Sequence, residues 1–238
     1  LLVTGFFDWR DVGTAAARYR LRDNPSGRLL CGAIEDGEDP RPPSRGVLAT
    51  CMDAPWRARV GVEVTFQVLP VLWGVSEGIP YDHYDVVIHT GLGVYDVPDR
   101  IVVERGAFHR REGLDVCGCA PERPSFAPGR ELDTIIEGPA WLEEGFAALD
   151  GATVGGHQIE VKDARVDNIF LCNETHGRAL VSLGDGAGAG GPLAAFFLHL
   201  PDPVEGDDRG LAIAVRALID RLIRHVRAAA PPLQSRSA

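Results

Sequence analysis

Apolar residues recur along this chain at two spacings, and the two alternate from one end to the other. Val62, Val64, Phe66 and Val68 take every second position within Gly61–Leu72, the period of a half-buried strand. Leu1–Thr4 is a short apolar run ended by Gly5. Asp85–Thr90 (DVVIHT) is closed by Gly91-Leu92-Gly93, and Ala194–Leu200 (AAFFLHL) by Pro201. Continuous runs of this kind predict inner strands of a mostly parallel sheet, covered on both faces. Gln158–Lys162 alternates more weakly. Between the strands the period lengthens. Leu211, Val215, Leu218, Ile219, Leu222 and Val226 recur at threes and fours behind a cap at Asp207 or Asp208, which predicts an amphipathic helix. Trp141, Leu142, Phe146 and Leu149 share a face of another, with Pro139 in its first turn and Gly151 beyond its end. Strands alternating with helices predict an α/β fold, a three-layer α/β/α sandwich around a mixed, mostly parallel sheet. No repeat and no linker divides the chain. Residues 1–230 therefore read as a single domain and 231–238 as a loose tail. Glu35–Pro43 (EDGEDPRPP) reads as an exposed acidic insertion, and Gly184–Gly191 (GDGAGAGG) as a glycine-rich loop.

Composition narrows the function. The net charge of −10 over 238 residues argues against a nucleic-acid or anionic-membrane binder. The longest apolar stretches, Val64–Gly74 and Pro192–Leu200, fall well short of the ~20 residues of a membrane helix. Leu1–Gly5 is too short for the core of a signal peptide and has no basic segment before it. Five cysteines are too few, and odd in number, for a disulfide framework. A reducing cytoplasm is the expected compartment.

Candidate chemistry gathers at three places. Cys172 follows Ile169-Phe170-Leu171 and precedes the polar string Asn173-Glu174-Thr175, which suits a helix start. At a strand-to-helix turn the helix N-terminus would lower the thiol pKa and offer main-chain N–H groups to an oxyanion. A buried structural cysteine fits the same spacing. His199 ends an apolar strand, where open α/β sheets collect functional groups, although a lone histidine there also fits the core. Glu104 follows Ile101-Val102-Val103, and burying its carboxylate would require a partner. Together the three would make a nucleophile, a proton carrier and an orienting carboxylate. Cys117-Gly118-Cys119 has no second pair at zinc-site spacing, and the other histidines form no ligand pattern. Neither a metal nor a cofactor is implied.

Several segments, in order, resemble the pyroglutamyl peptidase I (pyrrolidone-carboxylate peptidase) family of cysteine peptidases. Leu2-Val3-Thr4-Gly5-Phe6 and Asn24-Pro25-Ser26 look like its opening, and Asp85–Gly91 with Val102–Ala107 like its DVVIHxG…ER.A segment. Phe170-Leu171-Cys172-Asn173 and Phe196–Pro201 look like the stretches around its cysteine and histidine. Asp133–Ile136 is similar to the stretch before the helix that precedes the cysteine. The resemblance implies an omega peptidase that hydrolyses the amide after an N-terminal pyroglutamate. Cys172 would be the nucleophile, His199 the base and then acid, and Glu104 the residue orienting the imidazole. It also places Phe6, Trp9, Leu92, Phe170 and Asn173 at the substrate.

The sequence departs from that pattern at Trp9-Arg10-Asp11-Val12, at Asp167-Asn168 in place of a small Ala-Gly pair, and at Leu92 in place of a glutamine. A cysteine amidase for another acyl group or modified peptide therefore stands beside the first reading. A non-catalytic binding protein and a Cys117/Cys119 redox protein stand further off. Trp56 and Val64–Trp73 fit either the core or a homo-oligomer contact.

Overall fold

A computed structural model describes residues 1–7, 24–31, 46–93, 99–127, 129–164, 168–185, 191–201 and 208–230. Among the described residues nine strands form: β1 (Leu2–Phe6), β2 (Thr65–Leu69), β3 (Val86–Leu92), β4 (Arg100–Arg105), β5 (Ala107–Phe108), β6 (Ile135–Ile136), β7 (Thr153–Val154), β8 (His157–Asp163) and β9 (Ala194–Leu200). The α-helices among them are α1 (Pro25–Cys31), α2 (Val47–Cys51), α3 (Ala54–Val60), α4 (Glu143–Leu149), α5 (Leu171–Asp185) and α6 (Asp208–Ala229). Trp9, Arg10, Asp167, Asp207, the Glu35–Pro43 stretch, residues 186–190 and the tail lie outside the described residues.

Seven of these strands form one sheet in the order β2-β1-β3-β9-β4-β8-β7, and β5 pairs with β6 in a second. The large sheet is mixed and mostly parallel: β9 meets β4 antiparallel, as β8 meets β7, and the other pairs are parallel. The hydrophobic pattern follows from this order. β9 sits in the middle and every one of its residues is buried, so it carries no alternation. β2 is an edge strand and keeps its period of two. It is also shorter than the alternation around it predicts. Gly61 caps α3 in the left-handed conformation at φ 68°, and the main-chain N–H groups of Gly61 and Val62 both bond Arg57. Val62 is thus held at the helix end, and the strand begins only at Thr65.

Two glycines expected to end strands lie within them. A Cβ on Gly5 would stand 2.3 Å from the Ser26 carbonyl oxygen, and one on Gly91 would stand 2.8 Å from the Phe197 ring. Each allows something to approach the sheet closely. Helices cover both faces. The predicted stripe of α6 packs with α1, α2 and α4 against Val3, Ile88, Ile101, Val103, Phe196 and Leu198. Trp56 belongs to this core, and its Nε1–H donates to Asp220 at 2.9 Å. The other face presents Leu2, Phe6, Val87, Ala195 and Phe197 to α5. No helix among the described residues is long and apolar enough to cross a membrane.

Candidate active site

The residues of the Asn24-Pro25-Ser26 string tie the start of α1 to the end of β1. Ser26 Oγ accepts from the Phe6 N–H at 3.0 Å and donates to Asn24 Oδ1 at 2.7 Å. Asn24 Nδ2 donates to the Phe7 carbonyl at 3.0 Å. All three groups are buried, so the bonds satisfy main chain that would otherwise be stranded. They hold Phe6 on the sheet face that α5 covers.

On that face Glu104 and His199 meet, although 95 residues separate them in sequence. β4 and β9 run antiparallel here, with Val102 opposite His199 and Glu104 opposite Phe197. His199 Nε2 lies 2.7 Å from Glu104 Oε2, and both side chains are about 5% exposed. A carboxylate only accepts, so Nε2 carries the proton and Nδ1 is the ring atom that can exchange one. Asn168 Nδ2 donates to both Glu104 oxygens, at 3.0 and 2.8 Å.

Cys172 is the second residue of α5, and its thiol lies over Gly91, where a Cβ would come within 2.9 Å of the sulfur. Gly91 is the register partner of His199 on the neighbouring strand. The thiol thus lies over the strand next to the one that carries His199, and a side chain at position 91 would press on the sulfur and on the Phe197 ring. Two expectations are corrected. Among the described residues no strand runs into the cysteine, because Ile169 and Phe170 are irregular and α5 begins at Leu171. The thiol is not made acidic by the helix start: burial, and then the Glu104 charge, push it up to about 12 against a weaker main-chain hydrogen bond.

No protein-family model matches the chain, and no curated protein matches its sequence. Solved structures do match. Pyroglutamyl peptidase I from Bacillus amyloliquefaciens is similar with a TM-score of 0.59 at 14% identity, over 93% of this chain and 96% of that one. Pyrrolidone carboxyl peptidase from Pyrococcus furiosus gives 0.55 at 18% identity over 96% and 98%. The enzyme from Thermococcus litoralis gives 0.55 at 18% identity over 94% of both chains. This chain has the pyroglutamyl peptidase fold.

Within the pyroglutamyl peptidase fold, the residues expected at the substrate divide. Phe6 is buried in the apolar cluster beneath α5. Leu92 is the last residue of β3 and half-buried. Phe170 is half-buried and packs edge-on against Trp73, with ring centres 5.2 Å apart. Trp9 lies outside the described residues. Asn173 is held by main chain. Its Oδ1 accepts from the Phe108 N–H at 2.7 Å, and its Nδ2 donates to the carbonyls of Phe108 and Arg110 at 2.9 and 2.8 Å. An amide with both donors and an acceptor spent on main chain braces the Phe108–Arg110 segment. The Cys117-Gly118-Cys119 turn is likewise local: Asp115 Oδ1 accepts from both cysteine N–H groups, at 2.9 and 3.0 Å, and neither cysteine forms a disulfide.

Sequence reasoning missed His176, one turn beyond Cys172 on α5. It is buried, and its ring meets Phe197 edge-on with ring centres 6.0 Å apart. Burial holds it down at about 4, although the Glu104 charge pulls the other way; His199 adds to the lowering. The signal available was its spacing of four from Cys172 on the same helix. A depressed histidine binds its proton in the unfolded chain first, near pH 6.5, so stability is lost as pH falls from there towards 4. His176→Phe should reduce the loss of unfolding free energy between pH 7 and pH 4.5 by about 2 to 3 kcal/mol. Urea titrations of both proteins at the two pH values measure it, and an unchanged difference would contradict the assignment.

Proposed function

We propose that this chain is a cysteine exopeptidase of the pyroglutamyl peptidase I type, hydrolysing the amide bond after an N-terminal pyroglutamate. The observation that carries the reading is the 2.7 Å His199–Glu104 pair one strand away from the Cys172 thiol, at the start of α5. Cys172 Sγ attacks the acyl carbon while His199 Nδ1 takes the thiol proton, and Glu104 stabilises the imidazolium. The tetrahedral intermediate collapses to a thioester as Nδ1 returns the proton to the leaving amine. Water then attacks the thioester with Nδ1 again as base, releasing the acid and the thiol. Main-chain N–H groups at the first turn of α5 are suited to receive the oxyanion. The thiol's elevated pKa supports proton transfer concerted with attack over a resting thiolate–imidazolium pair.

The substrate reading rests on chemistry as well as fold. Pyroglutamate is a flat, uncharged lactam without a free amine, and apolar Phe6, Leu92 and Phe170 suit it better than a charged N-terminus. The five cysteines form no disulfide, in keeping with action in a reducing cytoplasm. Release of a fluorescent amine from pyroglutamyl-aminomethylcoumarin tests the proposal. Wild type should turn it over and Cys172→Ala should not. An inert wild type would overturn the pyroglutamyl reading. Turnover of other acyl amides in its place would favour the divergent amidase, which Leu92 in place of an amide side chain supports.

A further inference from the structure

Three polar groups converge beside the thiol, and one of them was not expected there. Asn168 Nδ2 stands 3.0 and 2.8 Å from the two oxygens of Glu104 and 3.1 Å from His199 Nε2. The 2.7 Å bond to Glu104 places a proton on Nε2, so the last contact joins two donors that share one carboxylate. The amide orientation is fixed by the same logic. Turned over, its Oδ1 would face both carboxylate oxygens with no proton between them. The main chain next to Asn168 is also anchored. The Glu112 N–H donates to the Ile169 carbonyl at 3.0 Å, Phe170 packs on Trp73, and α5 begins one residue later.

We propose that Asn168 is a positioning residue for the reaction, clamping Glu104 so that His199 keeps its proton on Nε2 and presents Nδ1 to Cys172. The inference rests on the cysteine-peptidase reading and adds to it a residue that stands where the resemblance puts a glycine. A glycine has no donor to offer, so the clamp belongs to this chain. A carboxylate on two rotatable bonds can turn its plane away from the imidazole. Two donor contacts from one amide remove that freedom, and a ring held by a fixed acceptor keeps one tautomer. Among the described residues, the charged and titratable groups facing Glu104 are His199 from β9, Cys172 and His176 from α5, and Lys162 from β8. Lys162 is its register partner and is itself paired with Glu160 at 3.2 Å.

Asn168→Ala and Asn168→Asp test the clamp, with melting temperatures as the control for folding. For Asn168→Ala, kcat on pyroglutamyl-aminomethylcoumarin should fall about ten- to a hundredfold while KM stays within about twofold. Asn168→Asp should be slower still near neutral pH, where a second carboxylate faces Glu104. It should recover relative to wild type as the pH falls and the new carboxyl regains a proton to donate. A second readout needs no substrate. In 15N-histidine spectra, with His199→Gln assigning the signal, wild-type His199 should show the Nε2–H tautomer and Asn168→Ala a mixture. An unchanged tautomer together with unchanged kcat would overturn the inference, as would a loss confined to KM, which would make Asn168 a substrate contact. If wild type does not cleave the substrate, the pyroglutamyl reading fails by itself and the tautomer decides the clamp. A mixture in Asn168→Ala then supports it, and an unaltered spectrum overturns it.

Discussion

Glu104→Gln should lower kcat by about a thousandfold or more while leaving the circular dichroism spectrum unchanged. The replacement keeps the shape of the side chain and reverses half of its hydrogen bonding. Glu104 accepts from His199 Nε2 at 2.7 Å and from Asn168 Nδ2 at 3.0 and 2.8 Å, all through oxygens that carry no proton. A glutamine NH2 facing His199 would force Nε2 to accept, which moves the ring proton to Nδ1 and removes the base for the thiol. A glutamine NH2 turned the other way meets Asn168 donor to donor. In either orientation the negative charge that stabilises the imidazolium is gone. A second effect runs in the opposite direction. Glu104 is one of the two causes that raise the Cys172 thiol, so its neutralisation should bring that thiol down from about 12. Turnover should therefore collapse while the thiol becomes easier to ionise. Steady-state kinetics together with the pH dependence of iodoacetamide labelling at Cys172 would show both. A fall in kcat of less than tenfold would remove Glu104 from the mechanism.

Glu174→Ala should destabilise the fold by about 3 to 5 kcal/mol. Glu174 is completely buried in the first turn of α5 and accepts from Arg111 Nη1 at 3.2 Å, Arg178 Nε at 2.9 Å and the Gly74 N–H at 3.2 Å. Arg111 is itself 7% exposed, and its remaining bonds run to the carbonyls of Arg123 and Ser125. Without the carboxylate its charge stays inside the protein with only dipoles around it. Glu77, more than half exposed and paired with the outer end of Arg178, makes the comparison. Glu77→Ala should cost less than about 1 kcal/mol, because a solvated pair contributes little. Urea denaturation near pH 7 distinguishes the two, and equal losses would mean that burial does not separate the Glu174 network from a surface pair. The network also fixes the segments around Gly74 and Arg123 to the helix that carries Cys172, so Glu174→Ala should lower activity at temperatures below its melting point.

The sheet was legible because its strands differ in burial. β9 and β3 read as unbroken apolar runs since both faces are covered, and α6 reads as a stripe since only one of its faces is. Glu104 and His199 could be singled out because each ends an apolar run, where a polar side chain is out of place. Their partnership came only with the antiparallel junction of β4 and β9, which local periodicity does not encode. Asn168, His176 and the Arg111–Glu174 pair were not legible for the same reason. Each lies in a polar or mixed stretch whose meaning depends on residues distant in the sequence. The lowered cysteine was inferred from helix position alone, and desolvation outweighed it. Gly5 and Gly91 were read as strand ends because glycine interrupts an apolar run, whereas both make room for something pressed against the strand.

The place of β9 has a consequence for how the chain is made. Its two neighbours, β3 and β4, both leave the ribosome long before it does. Until then β3 and β4 lack the strand that joins them in the sheet, and the edge each offers to it is apolar. β9 joins them by pairing parallel with β3 and antiparallel with β4. The seven-stranded sheet can therefore be completed only after β9 has emerged, and unpaired apolar edges of this kind recruit other chains. His199 rides on that last strand, so it can meet Glu104 only once β9 has been made.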